Sequence, residues 1–206
     1  MAQRSKSKQL KVAITGNIGS GKTTFSKYIN DLGYPVINSD NISKEILSND
    51  SSVREAIIKA FGARSFQGKE INTKYLAELV FTEPNNLKRI NSILHPHVWV
   101  KIEESINELY YSSTIVFVES ALIYEAKFAK MFDFVVLITA EKSIRMKRYS
   151  SGKQSSEEDF IQREKNQSPQ EQKAHKADFV FSNNGSMIEL KSKAGLLIKV
   201  LEAYTN

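Results

Sequence analysis

Gly16-Asn17-Ile18-Gly19-Ser20-Gly21-Lys22-Thr23 gathers three of the chain's nine glycines into six positions and follows them with a lysine and a hydroxyl. The spacing fits G-x-x-x-x-G-K-[ST], a phosphate-binding loop. Glycines let successive backbone N–H groups turn inward on a polyphosphate, and a helix beginning at Lys22 adds its positive end. Lys22 can bridge the β- and γ-phosphates, and the Thr23 hydroxyl, with Thr24 beside it, can ligate Mg²⁺. A nucleoside triphosphate such as ATP is the implied ligand. What becomes of its phosphate is left open by the loop.

Other side chains bear on that question. Asp40 follows a short apolar stretch and has two readings: a carboxylate that orients an acceptor hydroxyl and takes its proton, or a cap for the helix beginning at Asn41. Glu119 ends an apolar run, where an acid can hold Mg²⁺ through water or simply be solvated. His95-Pro96 is either a surface corner or an imidazole aimed at a substrate pocket. Arg145, Lys147 and Arg148, with Lys153 beyond, form either a solvated basic face or a lid whose guanidinium neutralises charge on a transferring phosphoryl group.

The elements that must position these groups follow from periodicity. Lys11 to Thr15 reads as a buried strand running into Gly16. Lys22 to Leu32, with Phe25, Tyr28, Ile29 and Leu32 on one face and Gly33 as the stop, reads as a helix. Pro35 to Ile37, Thr114 to Val118, Phe134 to Ile138 and Asp178 to Ser182 supply four more strands, two of them apolar on both faces as covered parallel strands are. Helical pieces lie at Val53 to Phe61, Leu76 to Val80, Leu87 to a break at Pro96, and Val98 to Leu109. A charged helical segment spans Glu141 to Gln172, and a closing helix runs from Ile188 to Tyr204. Five strands separated by helices imply a doubly wound parallel sheet. The stretch of about 60 residues between strands two and three exceeds a crossover, so residues 45–112 are expected to form a helical subdomain.

The chain has 206 residues, no cysteine and a formal charge of +6. That length suits one domain around one core. The missing cysteines exclude a disulfide framework, thiol catalysis and Cys-type zinc sites, and they fit a reducing cytoplasm. Arg4, Lys6, Lys8 and Lys11 place +4 in the first eleven residues, and Glu141 to Lys176 carries nine bases against six acids. Residues 1–9 are polar without an apolar run, hence an expected disordered tail rather than a signal peptide. No run approaches the roughly 18 apolar residues of a spanning helix, so no membrane partner is expected.

Together these residues resemble the dephospho-coenzyme A kinase family over Val12 to Gly185. That family's Thr-Gly-Gly-Ile-Gly-Ser-Gly-Lys opening is similar to Thr15 to Lys22, with Asn17 in place of a glycine. Its Asp-Ala-Asp is similar to Asn38-Ser39-Asp40. Phe81-x-x-Pro84, Asn91-x-x-Leu94-His95-Pro96, Gln167 with Arg163 four residues earlier, and Ala177-Asp178-x-x-x-x-Asn183-Asn184-Gly185 match further. In Glu119-Ser120-Ala121-Leu122-Ile123-Tyr124-Glu125, which is similar to the family's Asp-x-Pro-Leu-Leu-Phe-Glu, Glu replaces the strand-end Asp and Ala121 replaces the Pro. A second lid arginine is missing near Gly152-Lys153, which leaves Lys153 as a point charge and Arg148 as the lid arginine.

The resemblance implies a three-layer α/β P-loop kinase fold with a five-stranded parallel sheet, a helical coenzyme-binding insertion over 45–112 and a short helical lid over 143–172. It implies transfer of the ATP γ-phosphoryl group to the ribose 3′-hydroxyl of dephospho-coenzyme A in a monomer or weak homo-oligomer. Lys22 and the loop would hold the triphosphate, Thr23 and Glu119 Mg²⁺, and Asp40 the acceptor hydroxyl as base. Arg148, with Arg163, would close over the phosphates. His95 and Gln167 would bind the acceptor, and Asn183 to Gly185 would border adenine.

A nucleoside or nucleotide kinase of the same fold is the close alternative. An NTPase switch would normally carry a guanine-selective Asn-Lys-x-Asp stretch, which is absent from the chain. A nucleic-acid partner is not expected, because acids interrupt the basic residues between 141 and 176.

Overall fold

The computed structural model describes residues 8–83, 85–151 and 156–205. They fall into two compact units, one running up to Ile37 and resuming at Ile106, the other spanning Asn38–Ser105.

The first unit is built on β1 (Leu10–Thr15), β2 (Val36–Asn38), β5 (Ile115–Glu119), β6 (Phe134–Thr139) and β7 (Phe179–Ser182), ordered β2-β5-β1-β6-β7. β1 runs parallel to β5 with Ile14 opposite Glu119 and parallel to β6 with Thr15 opposite Leu137, so the carboxyl ends of these strands share one edge. β6 in turn pairs in parallel with β7. The period of two along a strand sends alternate residues to opposite faces. Val12, Ile14, Val136 and Ile138 pack beneath α1 (Lys22–Asp31) and α9 (Met187–Glu202), joined by Phe25, Ile29, Leu197 and Leu201. Ala13 and Val135 meet Ile123 and Tyr124 on the other face.

The charged segment expected as one helical stretch is three helices, α6 (Lys142–Ser150), α7 (Glu157–Lys165) and α8 (Gln170–Ala174). Ser156 caps α7 through Asp159 N–H, and Pro169, which cannot donate to a preceding turn, stands immediately before α8. Of the expected tail, residues 1–7 lie outside the described residues. Lys8 N–H donates to the Thr205 carbonyl, and the Gln9 side chain donates to the Tyr110 carbonyl, so the chain is tied down ahead of β1.

The second unit holds α2 (Ser39–Asn49), α3 (Ser51–Phe61), a short antiparallel hairpin of β3 (Phe66–Gln67) and β4 (Glu70–Ile71), α4 (Thr73–Thr82) and most of α5 (Asn85–Leu109). Asn38, Asp50 and Asn72 cap α2, α3 and α4 through their side-chain oxygens. The hairpin was not legible, because two-residue strands carry no measurable alternation. Nor does the helix break at Pro96, which lies inside α5. Proline removes one i→i−4 bond at about 3 kcal/mol. Leu94, Val98, Ile102 and Ile106, spaced by four and all buried, carry one apolar stripe straight through it. Burial of that stripe outweighs the lost bond. No described helix is long and apolar enough to cross a membrane.

Candidate active site

The phosphate loop joins the carboxyl end of β1 to the first turn of α1, as the strand and helix periods require. Two of its glycines are irreplaceable on different grounds. Gly19 has φ 74°, and a Cβ there would strike the main-chain carbonyl of Arg145; Gly21 has φ 96°, and a Cβ there would strike the Asn183 amide. Gly21 begins α1 in the left-handed region and offers no side-chain cap, so the first-turn N–H groups of a helix carrying Lys22, Thr23 and Thr24 face a position suited to an anion.

Below the loop, the Thr23 hydroxyl donates to Glu119 Oε1 at 2.7 Å. Glu119 is only 6 % exposed although it is a carboxylate at a strand end. The register that sets Ile14 opposite Glu119 brings the acid beside the loop. Hydroxyl and carboxylate are hard oxygen donors, the set Mg²⁺ accepts alongside phosphate and water. Among the described residues no cluster of three or more His, Cys, Asp or Glu side chains could hold a metal by protein alone. The Thr23 hydroxyl and the Glu119 carboxylate are the two oxygens here that could hold such an ion.

The outer rim of the loop is held by side chains far away in sequence. Ile18 N–H donates to Gln167 Oε1 at 2.8 Å, and Asn17 Nδ2 donates to the Ser168 carbonyl at 3.1 Å. Asn183 Nδ2 donates to the Ser20 carbonyl at 2.8 Å. Arg145 is 5 % exposed and reaches three ways: Nε to the Ala140 carbonyl, Nη1 to the Ile18 carbonyl at 3.2 Å, and Nη2 to Glu164 Oε1 at 2.6 Å. Burial pushes the Glu164 carboxyl up, but the hydrogen bonds from Lys142 and Arg145 overcome it and hold it below the usual range.

Of the two readings of Arg145, Lys147 and Arg148, the solvated face does not hold for Arg145, which is buried against the loop and Glu164. Nothing in the local sequence distinguishes it from Lys147 and Arg148, because its partners Ile18 and Glu164 lie 127 and 19 residues away. Arg148 is half-buried, and its Nη1 is enclosed without a hydrogen-bond partner among the described residues. Arg163 is exposed on α7, and Lys153 lies outside the described residues.

Beside the loop opens a cavity of about 630 Å³ in the first unit, with Asn17, Glu141, Arg145, Gln170 and Asn184 in its lining. Asn184 pairs reciprocally with Glu141, accepting its main-chain N–H at 2.9 Å and donating to its carboxylate at 3.1 Å. Gly185 follows at the start of the turn into α9, where a Cβ would meet the Glu189 carboxylate.

Asp40 and His95 belong to the second unit. The cap of α2 is Asn38, whose side chain accepts from Asp40 N–H at 3.0 Å and Asn41 N–H at 3.1 Å. Asp40 is therefore not the cap, which was one of its two sequence readings. Its carboxylate is exposed in the first turn. His95 is half-buried in α5, and burial lowers its pKa, favouring neutral imidazole.

The family model for dephospho-CoA kinase matches residues 10–189. A dephospho-CoA kinase of Chlamydia caviae is 37% identical over 186 residues, 89% of this chain and 92% of its own length. One from Protochlamydia amoebophila is 31% identical over 94% of this chain and 97% of its own. Among solved structures, a Thermus thermophilus protein superposes with a TM-score of 0.81 at 29% identity, covering 95% of this chain and 98% of its own. The dephospho-CoA kinase of Campylobacter jejuni does so with 0.69 at 28% identity, over 94% and 97%. A shikimate kinase of Bacteroides thetaiotaomicron, at 16% identity and a TM-score of 0.52 over 94% and 98%, shares the fold.

Proposed function

The chain belongs to the dephospho-CoA kinase family, and from that premise we propose how its own residues divide the reaction. The activity is ATP-dependent phosphorylation of the ribose 3′-hydroxyl of dephospho-CoA, giving coenzyme A and ADP. A nucleoside or nucleotide acceptor is not favoured, because relatives at 31% identity and above are dephospho-CoA kinases.

The observation that carries the division of roles is the Thr23–Glu119 contact beneath a loop clamped on its outer side. Loop N–H groups and Lys22 hold the triphosphate and orient its terminal phosphorus for in-line attack. Thr23 and Glu119 would hold Mg²⁺, which when bound neutralises charge on the phosphate oxygens. Arg148 supplies a guanidinium to the transferring group, and an N–H with no hydrogen-bond partner among the described residues is suited to an anionic oxygen. Gln167, whose carbonyl oxygen accepts a loop N–H, shapes the loop from outside. The adenosine end of ATP takes the cavity bordered by Asn184 and Glu141, whose volume lies within the ordinary range for small-molecule sites.

Asp40 and His95 serve the acceptor, with residues 45–112 as the acceptor-binding insertion and 143–172 as the lid. Asn38 does the capping of α2, which leaves the Asp40 carboxylate available to orient the hydroxyl and take its proton. A cytoplasmic setting accords with a chain of 206 residues that has no cysteine.

The test is Asp40→Asn. Turnover of dephospho-CoA, followed by ADP release, should fall about 10²–10⁴-fold while ATP binding is kept. Undiminished turnover would remove Asp40 from the role of base. Equal turnover of a nucleoside panel by the unsubstituted enzyme would overturn the acceptor.

A further inference from the structure

Lys173 on α8 is 1 % exposed, and no role given so far uses it. Its ammonium contacts Glu125 Oε1 at 2.9 Å and donates to the Ala121 carbonyl at 3.2 Å. The same Oε1 accepts the Ser168 N–H at 2.6 Å. Ser168 in turn accepts the Asn17 amide through its carbonyl, and its neighbour Gln167 accepts the Ile18 N–H. Ala121 is two residues past Glu119. One buried ammonium therefore fastens the segment leading out of the metal-side carboxylate to the segment that grips the outer rim of the phosphate loop.

Such a pair is an inefficient way to gain stability. Burial drives the Lys173 pKa down against the pull of Glu125, and apolar residues of the same volume often serve stability as well or better. Glu125 Oε2 is also buried without a hydrogen-bond partner among the described residues. What the pair supplies instead is direction, since Lys173 holds Oε1 where a single N–H, that of Ser168, must meet it. Asn17 lengthens the connection in this chain by adding a side-chain amide at a loop position where glycine would offer none.

We propose that Glu125 and Lys173 are positioning residues for ATP, acting through Ser168 on Asn17 and through Gln167 on the Ile18 N–H. They set the loop's shape before nucleotide arrives. The inference rests on the loop being the ATP site. Every bond in this chain ends on the loop, where the Gln167 carbonyl oxygen is spent on the Ile18 N–H rather than on the acceptor, so the acceptor KM is expected to be independent of it.

Two double variants separate positioning from stability, each removing both charges so that neither is stranded. Lys173→Met with Glu125→Gln keeps a carbonyl oxygen for the Ser168 N–H; Lys173→Met with Glu125→Leu does not. Binding of a fluorescent ATP analogue and steady-state kinetics should place the Gln pair, which keeps the acceptor oxygen but loses the ammonium that directs it, between the unsubstituted enzyme and the Leu pair. The Leu pair should lose about tenfold in ATP affinity, the effect of one lost hydrogen bond, with the dephospho-CoA KM unchanged. Equal ATP affinity in the two pairs, or a parallel rise in both KM values, overturns the proposal. Should the Leu pair not fold, Asn17→Gly cuts the same connection at its far end and should raise the ATP KM alone; an unchanged ATP KM overturns the proposal too. Failure of the unsubstituted enzyme to bind the analogue would instead sink the assignment of the loop, and this inference with it.

Discussion

Thr23 and Glu119, 96 residues apart in sequence, meet at 2.7 Å with the hydroxyl donating to the carboxylate. The strand register does this, since Glu119 lies opposite Ile14, two residues before the loop begins. A buried acid thus faces the one loop hydroxyl that starts a helix. Glu119→Ala should lower apparent Mg²⁺ affinity roughly 10–100-fold, read from initial rates over a Mg²⁺ titration at saturating substrates. Glu119→Asp, which keeps the carboxylate, should retain most of the response. An unchanged titration for the alanine variant would exclude Glu119 from the metal site.

Arg145 ties α6 to the loop and to Glu164 at once. Arg145→Met should destabilise the fold by about 3 kcal/mol in urea denaturation, at the low end for a broken buried pair because Lys142 still reaches Glu164 at 2.7 Å. Arg145→Lys should not restore it, since an ammonium cannot serve three acceptors lying in the directions of a planar fork.

Arg148 is expected to behave oppositely. Its Nη1 is enclosed without a hydrogen-bond partner among the described residues, so Arg148→Met removes an unpaired polar group and should leave the urea midpoint unchanged or higher. Phosphoryl transfer should nonetheless slow about 10²–10³-fold, measured as kcat at saturating substrates. A loss of stability without a loss of kcat would make Arg148 structural.

Alkaline stability should be governed by tyrosines. Burial first, then the carboxylates of Glu202, Asp133 and Asp178, push Tyr34, Tyr110 and Tyr124 respectively up to about 12 from an ordinary 10. The unfolded chain gives up these protons first, so stability present below pH 10 is lost as pH rises toward 12. Lys173, lowered from 10.5, acts the other way and only below that value. The Tyr124 hydroxyl is buried without a hydrogen-bond partner among the described residues. Tyr124→Phe should therefore stabilise at neutral pH by about 1 kcal/mol and flatten the alkaline limb of a thermal-melt series. A destabilised variant would contradict the enclosure.

Local chemistry is legible in the order of residues alone. Glycine spacing announces the loop, because only certain types at certain intervals let consecutive N–H groups converge. Strand ends were readable because β-branched runs stop at polar residues, which placed Glu119 at the close of β5. The continuity of α5 through Pro96 is not legible locally, because it depends on a stripe of four buried residues whose burial outweighs one lost hydrogen bond. Nor is the division of Glu141 to Gln172, since charge alone does not reveal where Ser156 and Pro169 restart the chain.

The linear order of residues thus specifies the nucleotide loop, the strands and helices that flank it, and the family. The fold adds what holds that loop in shape. Ile18 and Gln167 are 149 positions apart, Arg145 and Ile18 are 127, and Asn17 and Ser168 are 151. Periodicity reaches only a few residues along a chain, and nothing local distinguishes a lysine bound for solvent from Lys173 sealed against Glu125. Those pairings arise when parallel strands bring their carboxyl ends to one edge and the helices between them pack their polar residues around it.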